Sequence, residues 1–565
     1  MMKSSLSAAR FHSTGFGAAA SARRLRALLM LVLSLFGGTL VEAAAQKRGA
    51  SKLPSPDKIV ADYLKASGGK KRQGGMRDAT YEWSVQQEAN GAKGTARTFT
   101  KFPAATRTDI SLEHGETNAA ANARSAWVRR DSDSNSSSSS GGGLRTLTDA
   151  EANVAKLLSA LDASRLVDYR KQDVLARTVE FSDGGGTLEP AYVVEFSRRN
   201  GARLSYMFAV NSKLPLQVAD EARGLTIRYK DYRPVQNGLL EPHRVEIRTR
   251  DAAETLAFTL NSVRYNTGLE DALFEPPSDE SLNISELLRA VARNQEQLDR
   301  RVGDYTFTRT ETEREIDDKG VVKKEKTRVH EIYPVAGGGR ALKLLSEDGV
   351  PLSPERLAEQ ERGVVEAIKR IERENAKREQ KLERENAAKA ERARKRGETG
   401  AGADGDDEIG VGIFLRASEF VSPRRERFRE RDAIVFDFRP RPNFKATTRG
   451  EAIIGKLAGV VWIDAVDKQV VRLEARLAEG FKVGGGLVAS VRPGSAVVLE
   501  QTRLADGVWL PRFSQINASA KIFFFAGFRL DAIREYSNYR RFSTSVGDAK
   551  VEPPPQPSPT PPDEL

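Results

Sequence analysis

Three histidines beyond residue 45, His114, His243 and His330, are the side chains best suited to moving a proton near neutral pH or ligating a metal. They stand alone: no two share ligand spacing, and no His-Glu-x-x-His pattern occurs. The chain has no cysteine, which removes thiol nucleophiles, Cys-ligated metals and disulfides together. Three glycine triplets, Gly184 to Gly186, Gly337 to Gly339 and Gly484 to Gly486, lack the Lys-Ser/Thr of a phosphate loop and read as wide turns. No Gly-x-Ser-x-Gly elbow is present. Carboxylates are so abundant that a chance pair carries no information. The pattern argues against an enzyme, and it calls for no cofactor or metal.

What remains is apolar. Trp83, Phe196, Phe208 and Phe258, and further on Phe436, Trp462, Phe523 and Phe525, occupy alternating strand positions. They are expected on the side of a sheet that a helix covers. Buried aromatics are ordinary core. The sharper reading is a groove between a curled sheet and its helix, lined by these rings and shaped for an acyl chain. Phe523-Phe524-Phe525 places aromatics on both faces of one strand, which calls for a second covered face or a ligand contact.

The elements that would hold these residues recur. Asn237-Gly238-Leu239-Leu240-Glu241-Pro242 and Asp506-Gly507-Val508-Trp509-Leu510-Pro511 both read as a tight hairpin turn, which requires positive φ at both central residues. Each is followed by a proline in the returning strand, tolerated at an edge or bulge. Aromatic landmarks follow, Tyr265-Asn266 in one and Tyr536 to Tyr539 in the other. Upstream, each copy opens with an amphipathic helix. Ser55 caps Pro56, with Ile59, Val60, Tyr63 and Leu64 on one face and Gly68 at the end. Asn283 and Glu286 have capping-box spacing ahead of Ile284, Leu287, Leu288 and Val291, and Gly303 ends that helix. Strands follow at once, at Tyr81 to Val85 and at Tyr305 to Phe307. Alternation around Asn200-Gly201, and at Ile434 to Phe438 and Trp462 to Leu477, predicts antiparallel meanders with one buried face.

At 565 residues the chain exceeds one core. Residues 1–45 read as a cleaved signal peptide: Arg23, Arg24 and Arg26, the apolar run Ala27 to Leu40, then Ala43-Ala44-Ala45. The protein is therefore expected to be exported and periplasmic. Without cysteine there is no lipobox, and no later stretch is long and apolar enough to span a bilayer. The first 45 residues carry five Lys/Arg and one Glu, leaving +8 of the overall +12. Much of that sits in residues 354–396, a helical arm whose stretch 369–396 holds twelve basic and six acidic side chains. Leu357, Val364, Val365, Ile368 and Ile371 could dock its start on the sheet; the rest is too polar for a coiled coil and reads as solvated. The charge offers a peripheral contact with an anionic membrane through 369–396, and no nucleic-acid signature accompanies it. The expected domains are 51–280, with a Ser/Gly loop at 131–143, and 281–550, with the arm and an acidic return at 397–412. A proline-rich tail follows at 551–565.

Taken together, the helix Pro56 to Gly68, the strand at Tyr81, the run Tyr229-Lys230-Asp231-Tyr232 through Asn237-Gly238 to Pro242, and the close at Phe274-Glu275-Pro276-Pro277 resemble the LolA/LolB-like superfamily of outer-membrane lipoprotein-sorting proteins. Trp462-Ile463-Asp464 and Asp506 to Pro511 look like the same landmarks in a second, divergent copy. The resemblance implies an α+β fold of two modules, each a curved antiparallel sheet (an incomplete barrel) with an N-terminal helix packed over its concave face. The charged helical insertion lies in the second. It also implies a non-enzymatic carrier for an acyl lipid or a lipoprotein. As the alternative, two such modules in one chain also resemble the RseB/MucB type of envelope regulator or scaffold, which binds a protein partner. The family's motifs mark no ligand-contacting residue here.

Overall fold

The structure, a computed structural model, describes residues 53–541 apart from 114, 132–142, 185–188, 199, 250–254, 303, 317–321, 336–337, 397–410, 484–488 and 523–525. The signal peptide, the proline-rich tail, most of the Ser/Gly loop and of the acidic return, and the candidate residues Phe523 and Phe525 lie outside the described residues.

Among the described residues two antiparallel sheets of thirteen strands each form the framework, and neither closes into a barrel. In the first, the opening strand Asp78–Gln87 pairs with the final strand Thr255–Tyr265, with Tyr81 opposite Val263 and Val85 opposite Phe258. One meander runs outward from this central pair to an edge at Gly143–Thr146. The other ends at the edge strand Leu175–Ser182. The second sheet repeats the plan: Tyr305–Ile316 pairs with Ala526–Arg541, and its edges are Val350–Pro351 and Ser418–Phe428. Each sheet also has a helix between its two meanders, Asp149–Ser164 in the first and Pro354–Arg396 in the second. The charged segment is thus one continuous helix standing where the first half has a shorter, more apolar one. It docks through Val364, Ile368 and Ile371 against Tyr333, Val335 and Ala341, whereas Val365 points to solvent at 50% exposed.

Local chemistry follows the sequence closely at the helix starts. Ser55 Oγ accepts from Lys58 N–H, and Asn283 Oδ1 accepts from Glu286 N–H at 3.1 Å. The turns divide. Asn237 and Gly238 both take positive φ, at 62° and 66°, inside a loop that bonds Val235 to Leu239. At Asp506-Gly507 and Asn200-Gly201 only the glycine is left-handed, so the expected positive φ at both central residues is not met there. Pro511 sits at a register shift of its strand. The first hairpin also closes over a helix end. Gly68, at φ +120°, has no room for a Cβ, which would lie 2.9 Å from Leu239 Cδ2 and 3.0 Å from the Gly238 carbonyl oxygen.

The two sheets meet at their edges. Thr146 donates from its N–H to Glu426 Oε2 at 2.8 Å and from its hydroxyl to Glu426 Oε1 at 2.6 Å. Arg424, 2% exposed, donates to Glu426 at 2.7 Å, to Asp437 at 3.0 Å and to Thr146 Oγ1 at 2.6 Å. A second bridge joins Arg472 to Asp149 at the start of the helix Asp149–Ser164. Removing Arg424 would strand two buried carboxylates, so Arg424→Met should cost about 3–5 kcal/mol. Urea unfolding checks this, and a loss below about 1 kcal/mol would show the junction to be incidental.

Candidate functional site

The first sheet carries the largest apolar cluster. Ile59, Val60 and Leu64 of the helix Pro56–Ala66, and Leu157 and Leu161 of the helix Asp149–Ser164, pack on it with Trp83, Phe196, Phe208 and Phe258. All four predicted aromatics are buried here, and Phe196 is 0% exposed. Period-two geometry explains their meeting: Tyr192, Val194 and Phe196 lie opposite Phe208, Tyr206 and Leu204 across one hairpin. The rings interlock. Trp83 meets Phe258 edge-on at 6.1 Å, Phe196 meets Tyr206 at 5.1 Å, and Tyr63 of the covering helix rests on Phe208 at 5.8 Å.

The second sheet separates its predicted pair. Phe436 packs with Ile434, Val461, Ile463 and the helix residues Leu287, Leu288 and Val291. Trp462, expected on the same side, faces the other way with Val435, Val460, Trp509 and Leu510. Register is the reason: Phe436 lies opposite Val461 and Trp462 opposite Val435, so adjacent residues alternate faces. Both faces of this part of the sheet are covered, and both residues are 0% exposed.

The polar end of the first-sheet cluster was not anticipated. Arg165, left-handed at φ 54° just after the helix Asp149–Ser164, turns inward. Its guanidinium donates to Tyr81 Oη at 2.8 Å, to Glu241 Oε1 at 2.5 Å and to Gln73 Oε1, and lies 5.8 Å from the Tyr265 ring centre. Tyr265 and Tyr81 donate to the same Glu241 oxygen. Gln73 in turn donates to the Ser67 carbonyl at 2.9 Å, tying the network to the end of the covering helix. Burial disfavours the charged guanidinium, but the Glu241 carboxylate outweighs it and holds Arg165 firmly protonated. Burial also pushes the hydroxyls of Tyr63, Tyr81, Tyr206 and Tyr229 upward. Tyr206 Oη is buried with no partner among the described residues. The signal for this cluster was present in Glu241 of the hairpin motif and in the strand tyrosines. A buried arginine placed by a helix end has no spacing to betray it.

Outside, the covering helix is latched. Asp57 accepts from Tyr169 Oη at 2.6 Å and from Arg170 at 2.9 and 3.0 Å. Three clefts in the molecule are lined by other residues. Among the described residues, no group of three His, Asp or Glu is arranged to hold a metal ion. No helix among them is long and apolar enough to cross a membrane.

No family model and no curated protein matches the sequence. Solved structures do. A DUF1329 family protein from Desulfovibrio piger aligns at 13% identity over 39% of this chain and 96% of its own, with a TM-score of 0.27. A LolA superfamily protein from Nitrosomonas europaea aligns at 12% identity over 41% of this chain and 100% of its own, TM-score 0.27. The MucA/MucB complex of Pseudomonas aeruginosa aligns at 8% identity over 86% and 99%, TM-score 0.16. The chain is thus similar to LolA-superfamily structures over spans of about two-fifths of its length. Likenesses this weak do not bear on function, which has to come from the chain's own residues.

The latch gives a pH prediction. The Arg170 guanidinium, then the Tyr169 hydroxyl, hold Asp57 below its ordinary carboxylate value. A depressed native value means the contribution is complete above the unfolded value, about 4, and is lost as pH falls through the native one. Amide exchange over residues 56–66 should therefore be insensitive to this group between pH 7 and 5 and rise below pH 4. Asp57→Asn should exchange faster throughout, with no acid step.

Proposed function

We propose that the protein is a non-enzymatic envelope binding protein, built from two tandem LolA-like modules, that carries an acyl lipid or the lipidated end of a protein. Each module is read as a curved sheet with its N-terminal helix over the concave face. The observation that supports this is the apolar cluster running from Ile59, Val60 and Leu64 of the covering helix to Trp83, Phe258, Phe196 and Phe208. The helix is anchored at its rim by polar contacts, at Asp57 and through the Pro54 carbonyl, which accepts from Thr178 Oγ1 at 2.8 Å. An acyl chain that displaces the helix exchanges one apolar surface for another, at about 0.8 kcal/mol per buried methylene. Trp83, Phe196, Phe208 and Phe258 would line that site, and Phe436 its counterpart in the second module. Trp462, on the opposite face, would support the sheet.

The test is native mass spectrometry and lipid extraction on the full chain recovered from a periplasm. Stoichiometric acyl mass, with several-fold faster uptake of a fluorescent fatty acid by Asp57→Asn, is the expected result. An empty protein that ignores added lipopeptide in both forms would sink the carrier reading.

A second reading, an RseB/MucB-like regulator with a protein partner and no lipid, takes the same interlocked rings as ordinary core. Either way, the basic stretch 369–396 is read as steering toward an anionic surface. Binding to phosphatidylglycerol vesicles should weaken steeply with salt and with deletion of 369–396; binding that survives both would exclude that role.

A further inference from the structure

We infer that the cleft between the two sheets is a binding site for a phosphate group, separate from the acyl site of the first sheet. The cleft has a volume of about 220 Å³. One wall comes from the first half: Arg124, Asn153, Lys156, Gln172, Asp173 and Arg198. The other is the sheet face that also carries Trp462, where Ala458, Arg476, Ala496 and Asn517 stand in register across four strands.

The charge is unbalanced. Four cations line the cleft against two carboxylates, Asp173 and Glu474. Glu474 is taken by Arg472, at 2.9 and 3.0 Å. Arg124 has Glu275, with Asp437 at 3.9 Å. The other three cations have no carboxylate within 4 Å among the described residues. Arg198 reaches only the backbone carbonyls of Lys156 and Gln172, at 3.5 and 3.3 Å. Among the described residues the guanidinium of Arg476 and the ammonium of Lys156 have no hydrogen bond, and the Nε atoms of Arg198 and Arg476 are buried without a partner. Asp173 acts on Arg198 and Arg476 across space without pairing either.

Unpaired cations are costly to bury, which is why the other buried arginines, Arg165, Arg424 and Arg472, are each matched to carboxylates. Here burial pushes Arg476 down to about 10, and Arg198 and Arg124 push it the same way. Burial likewise lowers Lys156. A phosphate oxyanion set among them would relieve all three. Guanidinium forks with an ammonium beside them suit a phosphate, which accepts several charge-assisted bonds at once. The facing residues Ala458 and Ala496 are small and apolar, leaving room for the organic part of a phosphate ester.

A free phosphate and a phospholipid headgroup share this chemistry, and titration calorimetry with thermal unfolding of the full chain separates them. The probes are inorganic phosphate and dihexanoyl-phosphatidylglycerol, each against sodium chloride at matched ionic strength. Wild-type protein should bind at least one and melt higher with it. Arg476→Met and Lys156→Met should each weaken binding at least tenfold, yet melt no lower than wild type without phosphate, since each removes an unpaired, half-buried cation. Arg476→Lys should retain part of the affinity. Binding of inorganic phosphate assigns the site to the free anion, and binding of the lipid alone assigns it to the headgroup. No binding of either probe by wild type, or binding unchanged in both methionine variants, overturns the inference. The carrier reading stands or falls separately, because acyl uptake depends on the Asp57 latch and not on this cleft.

Discussion

Each sheet depends on one long-range pairing, the first strand against the last. Asp78–Gln87 and Thr255–Tyr265 are nearly two hundred residues apart in the chain, and Tyr305–Ile316 and Ala526–Arg541 are further apart still. Until that pair forms, each meander is a set of local hairpins with no partner for its central strand. Once it forms, the two meanders share one surface, and a helix between them has a face to lie on. The arrangement also fixes where the open edges fall. An edge strand exposes unpaired backbone groups and invites association. Here the edge at Gly143–Thr146 is met by the edge strand Ser418–Phe428, with the Glu426 carboxylate accepting from a backbone N–H, and the two halves are joined through a polar contact.

Joining the halves this way places charge in the interior, and the molecule treats that charge in two manners. Arg165, Arg424 and Arg472 are surrounded by carboxylates and hydroxyls that meet their donors. Such clusters contribute little net stability relative to apolar packing, but they fix geometry, because a misplaced strand leaves an unpaired ion in a poor solvent. Arg198, Arg476 and Lys156 break the pattern within the same junction, around a cleft that is not packed shut. The contrast between paired and unpaired cations a few residues apart, Arg472 and Arg476 on one strand, is what marks the cleft out.

Much of the framework was legible in the residues. Helix caps at Ser55 and Asn283, strand alternation at Tyr81-Trp83-Val85, and the left-handed glycines rest on short-range rules that the sequence carries within a few positions. The repeated hairpin motif was legible in part: Asn237 and Gly238 both take the expected positive φ, whereas at Asp506-Gly507 only the glycine does. Trp462 was assigned to the wrong face because alternation gives relative sidedness along a strand, whereas the covered side is set by partners far away in the chain. In a sheet buried on both faces, apolar residues at successive positions no longer distinguish the two. Arg165 and Arg476 were missed because a charged residue in a chain this charged reads as surface. Only the packing of distant elements removes it from water.

The helices that follow the first meander show how one topology supports two different outcomes. Asp149–Ser164 is sixteen residues, rich in alanine and leucine, and Leu157 and Leu161 bury it against its own sheet, while Asp149 at its start pairs with Arg472 of the other. Pro354–Arg396 holds the same place with forty-three residues and an apolar patch confined to its N-terminal half. A 43-residue helix extends about 65 Å at 1.5 Å per residue, well beyond the sheet edge on which Val364, Ile368 and Ile371 sit. Its charged remainder has nothing apolar to bury, so no folding free energy draws it back onto the molecule. The shorter helix is therefore consumed in holding the two halves together, while the longer one is left to present charge away from them. If the same element closes one half and reaches outward from the other, then the chain's asymmetry is chemical rather than topological. The first half supplies the more enclosed apolar face, and the second supplies the charged surface.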